Sequence, residues 1–145
     1  MPLSPARTET LRAFAATMIP ASVTFGVPGA DDSLIFADIV KNLGRDEADV
    51  VRALNRLDEL AGGNFSRLDP TKRLEIANAL RAEGGATVAA LSRSVLVCYY
   101  RDDRVMLSLG QEPRAPFPKG HTVEQGDWSL LEPVKRRAPF YRKVR

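Results

Sequence analysis

The sequence is poor in the side chains that build redox and metal sites. It contains one cysteine, Cys98, and one histidine, His121. A single cysteine cannot form a disulfide within the chain, and zinc is usually held in proteins by about four ligands, most of them cysteine or histidine. A metal site built from the cysteine and histidine of this chain alone is therefore excluded.

Two further patterns are missing, those of a membrane span and of a phosphate-binding loop. The longest apolar runs are far shorter than the roughly 20 residues that a helix needs to cross a bilayer, so we expect no transmembrane segment. The glycine pairs at 62–63 and 84–85 each follow a helical pattern and lack both the G-x-G-x-x-G spacing and the lysine of a phosphate loop. We therefore expect no cofactor bound by this chain itself.

The sequence does contain enough apolar material for one domain. Hydrophobic residues make up 44% and charged residues 27% of the 145 positions, which are ordinary values for a globular protein. A chain of this length can bury about two-thirds of the surface that it exposes when unfolded. One domain with a single core is expected.

The charge and the prolines are distributed unevenly. Residues 1–110 contain 13 lysines or arginines and 14 aspartates or glutamates, whereas residues 111–145 contain 8 and 4. Half of the ten prolines also fall in residues 111–145, where they disfavour any regular helix or strand of appreciable length. We call residues 1–110 the body and residues 111–145 the tail.

The first two helices of the body are predicted from their boundary residues. Ser4 and Pro5 have the side chains of an N-cap and a first helical position, and apolar residues recur at helical spacing until Pro20. After an irregular loop rich in glycine and proline, Ser33 is expected to cap a second helix that Gly44 ends. This second helix is apolar around much of its circumference, so we expect it to be central.

Three further helices are predicted in the rest of the body. Asp46 and Asp49 form a weak capping box for the third helix, and Asp69-Pro70 marks the start of the fourth. Each of these two helices is expected to end at a glycine pair. A fifth element of 16 residues ends in the apolar run VLVCYY, and its length favours a helix over a strand. The solvated face of the third helix is expected to carry Arg52, Arg56, Asp58 and Glu59.

Together these patterns predict an all-α protein. About five helices should form one small helical domain over residues 1–110, followed by an extended, proline-rich C-terminal tail over residues 111–145. The tail retains large apolar residues although it cannot bury them by regular structure. Such a segment is suited to wrapping the body or a partner subunit.

Cys98 and His121 are the residues that most resemble a catalytic pair, because a thiolate and an imidazole can together catalyse acyl transfer. Cys98, however, lies inside the run VLVCYY, where a thiol packs as a small hydrophobe and its pKa is raised. His121 lies in a KGHT turn and is interpreted as a solvated loop residue. A small thiol enzyme remains an alternative hypothesis.

Two pairs of adjacent carboxylates, Asp31-Asp32 and Asp102-Asp103, could hold a cation or share a proton. Adjacent residues rarely point into one site. Because each pair directly precedes a helical pattern, helix capping is the simpler interpretation, with the second pair capping one last short helical turn.

The C-terminal run KRRAPFYRKVR interleaves cations with aromatic residues, as nucleic-acid-binding segments do. A solvated or partner-facing tail is the preferred interpretation, and no nucleic-acid partner is expected. A small basic helical module that binds nucleic acid, or a generic protein-interaction module, is the alternative. Adsorption to anionic lipid is a third use of the same charge.

Partner-interface residues are predicted at the end of the fifth helix and in the tail. Tyr99 and Tyr100 lie about 100° apart on a helix, so one of them should reach a second surface. In the competing arrangement, the tail folds back near Tyr99 and closes the core of the chain itself. The predicted interface residues are Tyr99, Tyr100, Trp128, Leu131, Phe140, Tyr141 and Arg142.

Several stretches of the sequence resemble one protein family. The chain is similar to the gluconate 2-dehydrogenase subunit 3 family, the small non-catalytic subunits of bacterial FAD-dependent sugar and glucoside dehydrogenases. The similarity is spread over nearly the whole chain, and its motifs carry no active-site residue. The matching stretches are LRAFAATMIPAS, Val97-Cys98-Tyr99-Tyr100-Arg101-Asp102, Leu109-Gly110, PRAPFPKG and DWSLLEPVKRRAPFYRKV.

The resemblance implies a heteromer with a large FAD-containing dehydrogenase of the glucose–methanol–choline type, which oxidises a sugar, sugar acid or glycoside. In that family the FAD and the catalytic base belong to the large subunit, and electrons commonly pass to a cytochrome c subunit. Many small subunits carry a twin-arginine signal, which the first residues of this sequence lack. As written, the chain is expected in the cytoplasm, or in the periplasm or at the inner-membrane periphery if it is co-exported with its partner.

Overall fold

The computed structural model describes residues 3–115, 120 and 122–138. Within these residues the chain forms seven α-helices and no β-strand, so the all-α prediction is confirmed. Five of the helices have nine or more residues. The helices are α1 (Pro5–Met18), α2 (Ser33–Lys41), α3 (Glu47–Leu60), α4 (Pro70–Glu83), α5 (Gly85–Tyr100), α6 (Asp103–Ser108) and α7 (Glu132–Lys135).

The chain divides into two compact units, Met1–Pro113 and Arg114–Arg145. The first unit contains α1 to α6, together with 3-10 turns at Gly44–Asp46 and Phe65–Arg67. The second contains a 3-10 turn at Trp128–Leu131 and the short helix α7.

Two of the helices begin where their sequence predicts. The Ser4 hydroxyl accepts a hydrogen bond from the backbone N–H of Arg7 at 3.4 Å, and Pro5 is the first residue of α1. Likewise, the Asp69 carboxylate accepts from the N–H of Lys72 at 3.0 Å, ahead of Pro70. In both cases the cap satisfies an N–H group that has no partner within the helix.

The predicted boundaries of α2 are wrong at both ends. The cap is Asp32, whose carboxylate accepts from the N–H of Leu34 at 3.1 Å, so Ser33 is already inside the helix. The helix ends at Lys41, and Gly44, with a φ of +49°, begins the next 3-10 turn. Asp32 is the residue directly before the helix, so its carboxylate, rather than the Ser33 hydroxyl, accepts from the first backbone N–H groups.

The capping box predicted for α3 does not form. Asp46 makes no capping hydrogen bond, and its carboxylate instead accepts from the guanidinium of Arg93 on α5 at 2.8 Å. Asp49 pairs within α3 with Arg52 at 2.5 Å. The Asp46 carboxylate, which the local pattern predicts as a helix cap, is therefore bound by Arg93, 47 residues later in the sequence.

Asp58 is partly buried, which corrects its expected place on the solvated face of α3. Its carboxylate accepts from the N–H of Phe65 at 2.9 Å and from the hydroxyl of Thr10 at 3.3 Å. Phe65 reaches Asp58 because the glycines at 62 and 63, both with positive φ, turn the chain back after α3.

The core of the first unit is organised around α5. This helix packs against α2, α3, α4 and α6, whereas the predicted central helix, α2, leaves Leu34 exposed. The buried residues of α2 are Ile35, Phe36 and Ile39. The largest fully buried side chains of the core are Phe65, Leu11, Ile35, Ile39, Leu54, Leu57, Leu80 and Leu91.

The second unit contains two short helical elements. The Asp127 carboxylate accepts from the N–H of Ser129 at 2.9 Å and so caps the 3-10 turn. Pro133 then lies in the first turn of α7, where a proline costs no hydrogen bond. Each element has four residues, so the described part of the tail agrees with the prediction that its prolines disfavour a helix of appreciable length.

No helix among the described residues is both long and apolar enough to cross a membrane.

Candidate interaction surfaces

Cys98 lies on the inner face of α5. Its side chain is buried, and this burial raises the pKa of its thiol to about 11. The neighbouring Arg101 lowers this pKa only in part, because its guanidinium is bound to the Asp38 carboxylate of α2, with an Nε–Oδ2 distance of 2.6 Å. The predicted packing role and raised pKa of Cys98 therefore agree with its position. His121, the other member of the candidate pair, lies outside the described residues.

One aspartate of each adjacent pair serves as a helix cap. Asp32 begins α2, and Asp102 begins α6 by accepting from the N–H of Arg104 at 3.0 Å. The Arg104 guanidinium then joins the two caps, at 2.8 Å from Asp32 and 3.0 Å from Asp102. Its hydrogen bonds hold the pKa of both carboxyl groups below the ordinary value of 3.8.

The other aspartate of each pair is not the capping residue. The backbone carbonyl of Asp31 accepts from Arg12 at 2.8 Å, and Asp103 lies in the first turn of α6. Across the described part of the chain, no three histidine, cysteine, aspartate or glutamate side chains come together as a metal site would require.

The adjacent tyrosines at the end of α5 have different surroundings. Tyr99 is 4% exposed and donates its hydroxyl to the backbone carbonyl of Pro28 at 3.1 Å, whereas Tyr100 is 53% exposed. Their ring centroids are 5.3 Å apart with the planes at 87°, an edge-to-face contact. Of the two, Tyr100 therefore supplies the surface aromatic and Tyr99 belongs to the core.

Tyr100 is part of an apolar stripe on the outer face of α5. Leu96 and Val97 precede it by four and three residues, so the three side chains share one face of the helix, and all three are exposed. We call these three residues the α5 stripe. The charged groups beside it are already paired, since Arg93 binds Asp46 and Arg101 binds Asp38.

A groove of about 300 Å³ runs between α1, α4 and α5. Its walls include Phe14, Met18 and Val88, and Leu74 of α4 lies at its edge. Leu74 is 52% exposed. The groove contains no charged residue other than Arg81.

The loop between α1 and α2 presents two apolar side chains whose exposure the sequence pattern does not predict. Val23 is fully exposed and Phe25 is 74% exposed. They lie in a turn closed by an antiparallel bridge between Ser22 and Val27. The signal that could have identified them is the lack of charge from residue 20 to residue 30, combined with an aromatic residue among glycines and prolines.

In the second unit, Trp128, Leu130, Leu131 and Val134 are exposed, Trp128 by 64%. All four lie within the helical segment from Trp128 to Lys135. Two exposed cations, Arg136 and Arg137, follow directly. Three of the predicted interface residues, Phe140, Tyr141 and Arg142, lie outside the described residues.

Comparison with protein-family models, with curated proteins and with solved structures finds no match for this chain.

Proposed function

We propose that this chain is a non-catalytic accessory subunit that binds and stabilises a large FAD-dependent dehydrogenase of the glucose–methanol–choline type. The observation that carries the proposal is the α5 stripe, an apolar surface with an aromatic residue at its end. The nature of the partner comes from the sequence motifs that resemble the small subunits of sugar and glucoside dehydrogenases. On this proposal the FAD belongs to the partner.

The α5 stripe has the composition of an interface centre. Apolar and aromatic side chains with few free charges are typical of the buried part of a protein–protein contact. Arg93 and Arg101, which flank the stripe, are held by Asp46 and Asp38. A partner that covers Leu96, Val97 and Tyr100 therefore does not have to bury an unpaired charge of Arg93 or Arg101.

The helical segment of the second unit offers a further contact of the same kind. Tryptophan is among the residues that contribute most to binding when a partner buries it. Trp128 and Leu131, both exposed, are spaced three residues apart on this segment. We assign them to the partner interface, with Phe140, Tyr141 and Arg142 continuing it along the tail.

The position of Cys98 supports a role without catalysis. A nucleophilic cysteine needs a lowered thiol pKa and access to substrate. Burial instead raises the pKa of the Cys98 thiol to about 11.

Co-expression with the large chain encoded beside this one tests the proposal. We expect the two chains to elute together in size-exclusion chromatography, with flavin absorbance in the shared peak. Tyr100→Ser is expected to weaken the complex at least about tenfold, because an aromatic residue buried at an interface contributes about 1.4 kcal/mol or more. The matched control is Leu74→Ser on α4, which removes a similarly exposed apolar residue outside the stripe. Separate elution of the wild-type chains would contradict the proposal.

A nucleic-acid-binding module is the second candidate, and one observation favours it. The exposed indole of Trp128 lies seven to nine residues before Lys135, Arg136 and Arg137, a combination that can stack a base and contact phosphates. Binding to generic DNA should then weaken steeply with salt and disappear when the three cations are replaced by glutamine. Absence of DNA binding, or DNA binding that does not weaken as salt is added, would reject this candidate.

A further inference from the structure

The turn that carries Val23 and Phe25 is closed by hydrogen bonds on both of its sides. The backbone groups of Ser22 and Val27 exchange two bonds, at 3.0 and 3.1 Å. Within the turn, the N–H of Phe25 donates to the Ser22 hydroxyl at 3.3 Å, and Gly26 adopts a φ of +63°. The turn therefore has a defined conformation, although it contains no helix or strand. We call residues 22–27 the anchor turn.

The segment that follows the anchor turn is fastened to three helices. The Tyr99 hydroxyl of α5 donates to the carbonyl of Pro28 at 3.1 Å, and Arg12 of α1 donates to the carbonyl of Asp31 at 2.8 Å. Arg104 of α6 binds the carboxylate of Asp32 at 2.8 Å. These contacts fix the base of the loop on the first unit.

The close packing at this base also restricts its sequence. A Cβ atom added at Gly29 would lie 2.5 Å from the Asp31 carboxylate and 2.9 Å from the backbone nitrogen of Ala21. Position 29 therefore accommodates glycine without displacement of its neighbours. The loop is held closely at its base and projects its apolar tip into solvent.

The tip of the turn carries no charged group. Residues 20–30 contain no charged side chain, and the exposed groups of the turn include Val23, Thr24 and Phe25. Fixing a loop normally positions the groups that it presents, and here these groups include an aromatic ring and a branched aliphatic side chain. A rigid aromatic residue of this kind binds at low entropic cost because little freedom remains to be lost.

We infer that the anchor turn inserts Phe25, with Val23 beside it, into an apolar socket on the partner protein. This inference rests on the proposed function and adds to it a second contact, separate from the α5 stripe. The socket must accept an aromatic ring and should be apolar, because residues 20–30 carry no charge that could pair with a charged group on the partner.

The absence of cations from the turn favours a protein partner over a lipid surface or a nucleic acid. Insertion into a membrane is usually supported by lysine or arginine near the apolar residues, which attract anionic headgroups. No cation lies between residues 20 and 30, and the guanidinium groups of Arg12 and Arg104 at the base of the loop are already bound to Asp31 and Asp32. The turn therefore offers no cation of its own to an anionic surface.

Photocrosslinking in the full-length chain tests the inference. Benzoylphenylalanine is placed at position 25 and, as a control, at position 74, which is also exposed and lies outside both the anchor turn and the α5 stripe. Each chain is co-expressed with the large chain encoded beside it. We expect a crosslink to the flavoprotein from position 25 that position 74 does not give. In parallel, Phe25→Ser should raise the Kd of the complex about thirtyfold, as loss of an aromatic anchor does, while Leu74→Ser leaves it unchanged.

The other outcomes each decide against the inference. If the complex forms but position 25 gives no crosslink and Phe25→Ser binds normally, the anchor turn is not in the interface and the proposed function stands. If the wild-type chains do not associate, the proposed function fails and the inference fails with it. If the wild-type chain sediments with vesicles of phosphatidylcholine, with or without phosphatidylserine, and Phe25→Ser does not, the turn contacts lipid instead.

Discussion

Arg104 lies 2.8 Å from the carboxylate of Asp32, a residue 72 positions earlier in the chain. Because Arg104 also binds Asp102, one guanidinium joins the N-caps of α2 and α6. Each carboxylate thus serves a helix end and an ion pair at the same time. The arrangement fixes the first residue of α2 relative to the last helix of the first unit.

Replacing Arg104 by methionine should destabilise the first unit modestly. The guanidinium is partly exposed, and exposed ion pairs contribute up to about 1 kcal/mol to the free energy of unfolding, less at high salt. Urea unfolding at low and high ionic strength measures this change. Lys72→Met, which breaks a pair within α4 alone, should have a smaller effect, and an equal effect of the two variants would contradict the linking role.

Acidification should weaken the same contact. The hydrogen bonds from Arg104 lower the pKa of Asp32 and Asp102 below 3.8 in the folded chain. A lowered folded-state pKa contributes stability that is present above the unfolded-state pKa and is lost as pH falls through the folded-state value. We therefore expect the free energy of unfolding to decrease below about pH 4. Thermal unfolding of wild type and Arg104→Met at pH 5 and pH 3 should show a smaller loss in the variant.

Cys98 should react slowly with thiol reagents while the chain is folded. Its burial and its raised pKa leave little accessible thiolate near pH 8. We expect labelling by a disulfide reagent to be at least about tenfold slower than for a free thiol, and to become fast in urea. Rapid labelling of the folded chain, together with loss of a turnover activity in Cys98→Ser, would support the thiol-enzyme alternative.

Tyr99 and Tyr100 offer a matched pair of substitutions. Tyr99→Phe removes the hydrogen bond to Pro28 and should lower the free energy of unfolding by about 1 kcal/mol. Tyr100→Phe should change it little, because the Tyr100 side chain is exposed. Hydrogen exchange of residues 22–30 should increase in the Tyr99 variant alone, and an unchanged rate would show that Pro28 is held by other contacts.

Truncation after Pro113 distinguishes between two roles of the tail, binding a partner and completing the core of the chain. The cut preserves the hydrogen bond from the Gln111 N–H to Met106 that ends α6. We expect the shortened chain to unfold cooperatively, as judged by circular dichroism, and to lose affinity for the flavoprotein. Unfolding of the shortened chain would identify the tail as core, and unchanged affinity would remove Trp128 and Leu131 from the interface.

Local signals in the sequence predicted the helices better than their caps. Ser4-Pro5 and Asp69-Pro70 mark true helix starts because the cap and the proline act within one turn of the chain. At Asp46 the local pattern fails because Arg93, which is distant in sequence, competes for the carboxylate. No window around residue 46 contains that information.

Burial was harder to predict than helicity at the residues that matter for binding. Leu74 and Leu80 are both leucines of α4, yet only Leu80 is covered by the core. Phe25 lies in a loop without periodicity, so nothing in its spacing predicts exposure. The angle between Tyr99 and Tyr100 on the helix predicts that one of the two is exposed, because this angle is a local property. Coverage by neighbouring helices depends on packing that sequence spacing does not encode.

Asp58 shows how one carboxylate constrains distant positions of the sequence. It accepts hydrogen bonds from Thr10 of α1 and from the backbone of Phe65 after α3. If an apolar residue replaced Asp58, the Phe65 N–H and the buried Thr10 hydroxyl would lose their acceptor together. Natural relatives of this chain should therefore vary at positions 10 and 58 in a correlated way, with the hydroxyl present where the carboxylate is retained and an apolar residue at position 10 where it is not.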